Sequence, residues 1–172
     1  SHFASLVARY WIERLAKIPV SCELASEFHY RDPVTSGVNT ALAISQSGES
    51  VDTLKAVKFA GKKKLSTIAL VNVSDSSIAR ETDVVITTKA GPEIGVASTK
   101  AFTAQLTVLL TLALAIAEAK NQLKENVSNE LQRQIKLLPG LVGKALDAFD
   151  TIKPVAQDLK TVKSALFLGR GH

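Results

Sequence analysis

Four polar side chains suited to binding an anion fall within the string S-Q-S-G-E-S, residues 45 to 50. The hydroxyls of Ser45, Ser47 and Ser50 and the amide of Gln46 can all donate hydrogen bonds. The glycine at position 48 lets the backbone approach a ligand closely. This combination predicts a pocket for a phosphate or another small oxyanion.

The residues missing from this string narrow the ligand class. It has neither the lysine of a nucleoside-triphosphate loop nor the glycine pattern of a dinucleotide site, so a singly phosphorylated small molecule suits it better. Glu49 and Asp52 bring negative charge near the site, although both are ordinary first-turn helix residues. Helix capping by Ser47 or Ser50 is the structural alternative, and the motif alone leaves it open.

The elements on either side of the string favour ligand binding over simple helix capping. The apolar run Thr40–Ile44 predicts a strand, and helical spacing from Val51 to Gly61 predicts a helix. The string then lies where a strand meets a helix N-terminus, the edge at which open α/β sheets bind ligands.

The same alternation continues along the chain and predicts an α/β fold, a doubly wound parallel sheet with helices on both faces and right-handed crossovers. Further strands are expected at Val20–Leu24, Thr67–Val71, Val84–Thr88 and Ser164–Leu168. Helices are expected at Ser1–Lys17, Ile78–Glu81, Thr99–Lys120, Ser128–Leu138 and, after a break at Pro139-Gly140, Leu141–Ala148. The apolar helix from Thr99 is expected to be a core or interface helix rather than a membrane span.

Two other segments could border the ligand. Ser74, Ser76 and Ser77 follow a strand, but an N-cap before a short helix explains them better. The loop Ala90–Lys100 is rich in small residues, and the sequence does not decide between a ligand-binding loop and a structural turn.

Catalytic candidates are few. His2, His29 and His172 are far apart and predict surface residues rather than a metal site, and Cys22 is expected to be a buried, inert thiol in a strand. No nucleophile and base can be paired by spacing. No cofactor, metal or catalytic residue is therefore predicted within these residues.

The composition limits the classes of protein to which this chain could belong. The 172 residues include 46% hydrophobic residues, which predicts a packed globule, and one Cys, which rules out a disulfide within the chain and fits a reducing compartment. The net charge is +5, but the basic residues are scattered apart from Lys62–Lys64, which predicts a solvated helix end rather than a nucleic-acid site. No secretory signal is expected. The absence of Met predicts a piece of a longer protein.

Longer strings resemble one enzyme family. The segments S-Q-S-G-E-S-x-D-T-L, N-V-S-D-S-S-I-A-R-E-T-D and A-G-P-E-I-G-V-A-S-T-K-A-F-T resemble the isomerase part of the glutamine–fructose-6-phosphate aminotransferases, within the wider sugar isomerase (SIS) superfamily. V-A-R-Y-W-I-E near the start and F-L-G-R-G near the end are similar to the same family in the same order.

The resemblance implies a flavodoxin-like five-stranded parallel sheet. Residues 1–160 would form a first SIS domain without its opening strand, and residues 161–172 the first strand and turn of a second SIS domain. It also implies a cytoplasmic homodimer that binds fructose 6-phosphate or glucosamine 6-phosphate, with no role for nucleic acid or membrane.

The resemblance also implies the site residues. Ser45, Gln46, Ser47 and Ser50 would contact the phosphate, Val96 and Ser98 would lie near the sugar, and Ser1 matches a serine that ends a further binding turn. Ser50 departs from the usual Thr of the family but keeps the hydroxyl. The Lys, Glu and His groups that open the ring and move protons in this family lie outside these residues, so the chain alone is expected to be catalytically silent.

Two further expectations follow. Ser164–Leu168 could fill the central position of the sheet, within one chain or by exchange between two chains. The alternative functions are a regulatory SIS module that senses a phosphosugar and another SIS enzyme, such as a fructosamine-phosphate deglycase. A glutaminase domain in the parent chain would separate the aminotransferase from both.

Overall fold

Three parallel strands form the sheet among the described residues, where the resemblance implied five. A computed structural model, which describes residues 1–95 and 98–169, contains β1 (Thr40–Ser45), β2 (Ser66–Val71) and β3 (Val84–Thr87). Their order in space is β1-β2-β3, and both pairings are parallel. In this register Ser45, the last residue of β1, lies beside Val71, the last residue of β2. The loops that leave the strands therefore begin at one common edge.

Helices cover both faces of this sheet, as an α/β fold requires. They are α1 (His2–Ala16), α2 (Ala25–Phe28), α3 (Val51–Lys62), α4 (Ser77–Arg80) and α5 (Lys100–Ala119). On one face, residues of α3 and α4 such as Val57 and Ile78 pack with Ala69 and Val71 of β2. On the other face, Leu70 of β2 packs with residues of α1 and α5. The predicted α/β class with helices on both faces is confirmed.

The apolar helix α5 packs against α1. Its buried side chains include Leu109, which shares a core cluster with Ala4 and Ala8 of α1. Within the described residues α5 is the one helix long and apolar enough to cross a membrane by length and composition. One side of α5 is therefore part of a packed core with α1 and the sheet. The expectation that α5 does not span a membrane stays a prediction.

The chain divides after Gln122 into two compact units, and the elements above belong to the first. The second unit contains α6 (Glu125–Leu146), α7 (Phe149–Asp158) and a short 3-10 helix, Leu159–Thr161. The predicted break at Pro139-Gly140 is wrong, because α6 continues through Pro139. Proline removes one N–H from the helical ladder, and at this exposed position the carbonyl left over can bind water.

Two predicted strands are absent from the described residues. Residues 20–24 form an irregular segment tied to α1, in which the Val20 N–H donates to Glu13 (3.2 Å) and the Cys22 thiol donates to the Ser5 carbonyl (3.2 Å). Residues 164–168, in the second unit, are irregular and exposed. The expectation that they fill the central position of the sheet, within one chain or by exchange between two chains, stays a prediction. A strand needs a neighbour for its backbone groups, and residues 20–24 have none among the described residues.

Candidate functional site

The segment Ser45–Ser50 is a tight turn between β1 and α3. Ser45 is buried at the end of β1, and its hydroxyl oxygen accepts a hydrogen bond from the Gly48 N–H (3.0 Å). The hydroxyl oxygen of Ser47 accepts one from the Glu49 N–H (3.2 Å). Gly48 has a φ of +71°, a conformation that favours glycine. The turn is thus held by its own serines, and each of these hydroxyls keeps a proton that it can donate.

The start of α3 lies open beside this turn. Ser50 occupies the N-cap position, yet its side chain makes no capping hydrogen bond. The first N–H groups of a helix have no acceptor within the helix, and the helix dipole makes this end partly positive. The capping alternative is therefore not realised by Ser50, whose exposed hydroxyl is available to a ligand.

The turn is also fixed from the side of α4. The Gly48 carbonyl accepts a hydrogen bond from the Ile78 N–H (2.9 Å), and the Glu49 carboxylate accepts one from the Ser77 N–H (2.8 Å). The Ser77 backbone amide, then its hydroxyl, lower the pKa of Glu49, and Arg80 adds to the effect. Glu49 therefore stays ionised at neutral pH and directs its charge to the start of α4. The sequence left Glu49 as an obstacle to anion binding; the structure gives it a separate role.

A second loop reaches the same edge from β3. Its backbone is held by Asn72, which directly follows β2 and accepts a hydrogen bond from the Ala90 N–H (2.8 Å). Farther along, the Glu93 carboxylate accepts hydrogen bonds from the Thr99 hydroxyl (2.9 Å) and the Ala101 N–H (3.1 Å). The Ala101 amide, then the Thr99 hydroxyl, lower the pKa of Glu93. Glu93 thus caps α5 from the loop in front of it.

The residues predicted near the sugar lie in or before this cap. Ser98 is exposed directly ahead of the start of α5, and Val96 lies outside the described residues. Ser1 is the N-cap of α1, where its hydroxyl oxygen accepts a hydrogen bond from the buried Gln105 side chain of α5 (3.0 Å). The structure therefore gathers Ser45, Gln46, Ser47 and Ser50 into one turn, and holds Ser1 and Ser98 at the starts of two helices.

The other candidates take structural positions. Ser76 occupies the N-cap position of α4, but its buried hydroxyl makes no capping hydrogen bond, so the predicted capping role is not realised by this serine. His2 and His29 are half-buried, Cys22 is half-buried in an irregular segment rather than a strand, and His172 lies outside the described residues. Among the described residues no group of three or more His, Cys, Asp and Glu is placed to hold a metal ion.

Asn72, Glu93 and Gln105 are the residues that sequence reasoning missed. Asn72 and Gln105 act through partners distant along the chain, Gly91 and Ser1 respectively. Glu93 acts through the nearby Thr99 and Ala101. One signal was available for Asn72, because a polar residue directly after a buried strand lies at the ligand-binding edge. Nothing in the local spacing of Gln105 distinguishes it from an ordinary polar residue of an apolar helix.

Comparison with known proteins agrees with this fold. Residues 1–115 match the SIS domain family. The chain is 48% identical to a glutamine–fructose-6-phosphate aminotransferase (isomerizing) of Zymomonas mobilis and 47% identical to that of Pseudomonas syringae, in both cases over 99% of this chain. The C-terminal domain of a glucosamine-fructose-6-phosphate aminotransferase from Francisella tularensis superposes with a TM-score of 0.95 at 41% identity, covering 99% of this chain and 49% of that one.

The chain matches only part of the length of each relative. The chain spans 28% of the length of both aminotransferases, so it corresponds to one portion of them. The family match, by contrast, includes the whole sheet, the turn Ser45–Ser50 and most of α5. The chain therefore belongs to the SIS domain family.

Proposed function

We propose that this chain is the phosphosugar-binding part of a glutamine–fructose-6-phosphate aminotransferase. The turn Ser45–Ser50 would bind the phosphate of fructose 6-phosphate or glucosamine 6-phosphate. The observation that carries the proposal is the geometry of this turn, which combines donor hydroxyls with an uncapped helix start at the end of β1. The names of the similar aminotransferases support the choice of enzyme.

The chemistry of the turn suits a phosphate monoester. Hydroxyl donors and helix N–H groups surround an anion with hydrogen bonds, and the partial positive charge of the helix start adds to them. The hydrogen bonds within the turn fix Ser45 and Ser47 before any ligand arrives, which lowers the entropic cost of binding. The Glu49 carboxylate accepts a hydrogen bond from the Ser77 N–H and is therefore engaged with the start of α4.

The proposal extends to the residues around the turn. Ser98 and Val96 would contact the sugar, and Ser1 would contribute from the start of α1. The parent enzyme would be a cytoplasmic homodimer without a bound cofactor. The 172 residues alone would bind the phosphosugar without converting it, so incubation with glutamine and fructose 6-phosphate should yield no glucosamine 6-phosphate.

Calorimetric titration tests the proposal. Fructose 6-phosphate and glucosamine 6-phosphate should bind, and unphosphorylated fructose should not. Ser50→Ala should weaken binding by about 1 to 3 kcal/mol with no change in the free energy of unfolding, because its hydroxyl makes no capping hydrogen bond in the free protein. Ser47→Ala should weaken binding similarly and also lower stability, since it removes the bond to the Glu49 N–H.

Two control variants sharpen this titration. Ser50→Thr keeps the hydroxyl and should retain affinity. Ser36→Ala changes an exposed serine in another loop and should leave affinity unchanged. Equal affinity for fructose and fructose 6-phosphate, or full affinity in both Ser47→Ala and Ser50→Ala, would overturn the proposal.

A further inference from the structure

Asn72 connects the loops that follow all three strands. Its backbone N–H donates to the Gln46 carbonyl in the turn after β1 (3.0 Å). Its side-chain oxygen accepts hydrogen bonds from the Thr88 hydroxyl (3.0 Å) and the Ala90 N–H (2.8 Å), and its side-chain nitrogen donates to the Gly91 carbonyl (2.7 Å). One residue thus holds the turn Ser45–Ser50 through its backbone and the loop after β3 through its side chain.

The loop after β3 needs such a clamp. Lys89 has a φ of +51° and Gly91 a φ of +70°, so two residues of this short stretch lie in the left-handed region. A non-glycine residue there is strained, and such a conformation persists only where surrounding contacts fix it. The side-chain amide of Asn72 accepts a hydrogen bond from the Ala90 N–H and donates one to the Gly91 carbonyl, and so satisfies backbone groups of this stretch.

We infer that Asn72 is a positioning residue of the phosphosugar site, which holds the loop after β3 in register with the turn that binds the phosphate. This inference rests on the proposed function. Asn72 acts on the ligand through the two loops. Ligands of open α/β sheets lie outside the carboxyl ends of the strands, so the loop after β3 borders whatever extends from a phosphate held at β1.

The backbone hydrogen bond and the side-chain hydrogen bonds of Asn72 should have separate effects on ligand affinity. Replacing its side chain leaves the backbone bond to Gln46, so the phosphate turn keeps its geometry. The loop after β3 loses three hydrogen bonds and is released. Affinity should therefore fall for a hexose phosphate, whose sugar reaches beyond the turn, and stay unchanged for glycerol 3-phosphate, which offers the phosphate with a short chain. A merely structural role would lower both affinities together.

The test is an NMR titration of the 172-residue chain with fructose 6-phosphate and with glycerol 3-phosphate, following the Gly48 amide. Asn72→Ala should weaken the affinity for fructose 6-phosphate on the order of tenfold, which is about the effect of losing one net hydrogen bond. Its glycerol 3-phosphate affinity should match that of the unaltered chain. Asn39→Ala, which alters an exposed asparagine before β1, should change neither affinity.

Thr88→Val gives a second and milder variant. It removes only the hydroxyl that donates to Asn72, and should shift the ratio of the two affinities in the same direction by a smaller factor. Failure of the unaltered chain to bind fructose 6-phosphate would overturn the proposed function, and this inference with it. Binding by the unaltered chain, together with no loss or equal losses for the two ligands in the variants, would overturn the inference alone.

Discussion

Gly48 leaves no room for a side chain in the turn Ser45–Ser50. A Cβ built on it would lie 1.9 Å from Oγ and 2.4 Å from Cβ of Ser76. The Ser76 hydroxyl is itself buried without a hydrogen-bond partner in the described residues, a cost that accompanies this close packing. The side chain of Ser76, the N-cap residue of α4, therefore approaches the turn more closely than any residue but glycine at position 48 would permit.

Replacing Gly48 should consequently destabilise the protein more than replacing another glycine of similar φ. Gly37→Ala provides the matched control, because Gly37 has a φ of +79° and open space where the Cβ would be. We expect Gly37→Ala to cost about 1 to 2 kcal/mol from backbone strain. Gly48→Ala should cost about 1 to 3 kcal/mol more, from overpacking against Ser76. Urea unfolding of both variants measures the difference, and equal losses would contradict the packing argument.

The carboxylate of Glu49 should make stability depend on pH. Its pKa is lowered from an ordinary value of 4.5, chiefly by the Ser77 backbone amide, so folding favours the ionised form. This contribution is fully present above pH 4.5 and is lost as the pH falls through the lower pKa of the folded state. The stability advantage of the unaltered chain over Glu49→Gln should therefore shrink as the pH falls from 7 to about 3.

The comparison of urea midpoints at several pH values isolates this effect. Other carboxylates with lowered pKa values, such as Asp83 beside the Thr67 amide and hydroxyl, titrate in both proteins and cancel in the difference. A stability difference that does not vary with pH would show that the hydrogen bond from Ser77 does not depend on the charge of Glu49.

At the scale of elements, the sequence predicted a strand or helix correctly where its apolar residues repeat on the face that packs against the core. The strands β1 to β3 and the helices α1, α3, α4 and α5 lie within a residue or two of their predicted bounds. The run of lysines at Lys62–Lys64 is an exposed helix end, as expected. Residues 20–24 and 164–168 were predicted as strands but are irregular in the structure. A strand requires a neighbouring strand, and the availability of that partner is not a local property of sequence.

The candidate site was predictable to the same extent. The turn Ser45–Ser50 is contiguous in sequence, so its residues and its position between strand and helix could be predicted directly. The contacts that fix it are not contiguous. Glu49 meets Ser77, and Asn72 meets Gly91, only because β1, β2 and β3 end at one edge of the sheet. Spacing along the chain cannot show which of many polar residues make such contacts.

The helix α6 gives a test at this scale, because it continues through Pro139 where the sequence predicted a break. Pro139→Ala should restore one backbone hydrogen bond and stabilise the helix by up to about 3 kcal/mol. Slower hydrogen exchange of amides near Ile135 to Gly143 would report the gain. Pro33→Ala, in an irregular loop, should leave exchange in α6 unchanged. Faster exchange in Pro139→Ala would mean that proline favours this part of α6.

At the scale of the whole molecule, everything proposed to bind the ligand lies in the first unit. The sheet, both apolar clusters and the turn Ser45–Ser50 fall between Ser1 and Gln122, and the SIS family match ends at residue 115. The second unit is mainly α6 and α7, whose large apolar side chains are largely exposed. This division lies well before the predicted domain boundary at residue 160, which stays a prediction.

A chain ending at Gln122 should therefore fold and bind fructose 6-phosphate with nearly the affinity of the full 172 residues. Its core is complete, since α5 remains to pack Leu109 against α1. A chain ending at Ser98 lacks α5, exposes that core, and should lose both cooperative unfolding and binding. Chemical unfolding and calorimetry on the two chains decide the matter. If the chain ending at Gln122 lost binding while one ending at residue 160 kept it, the ligand-binding domain would extend to the boundary predicted from the sequence.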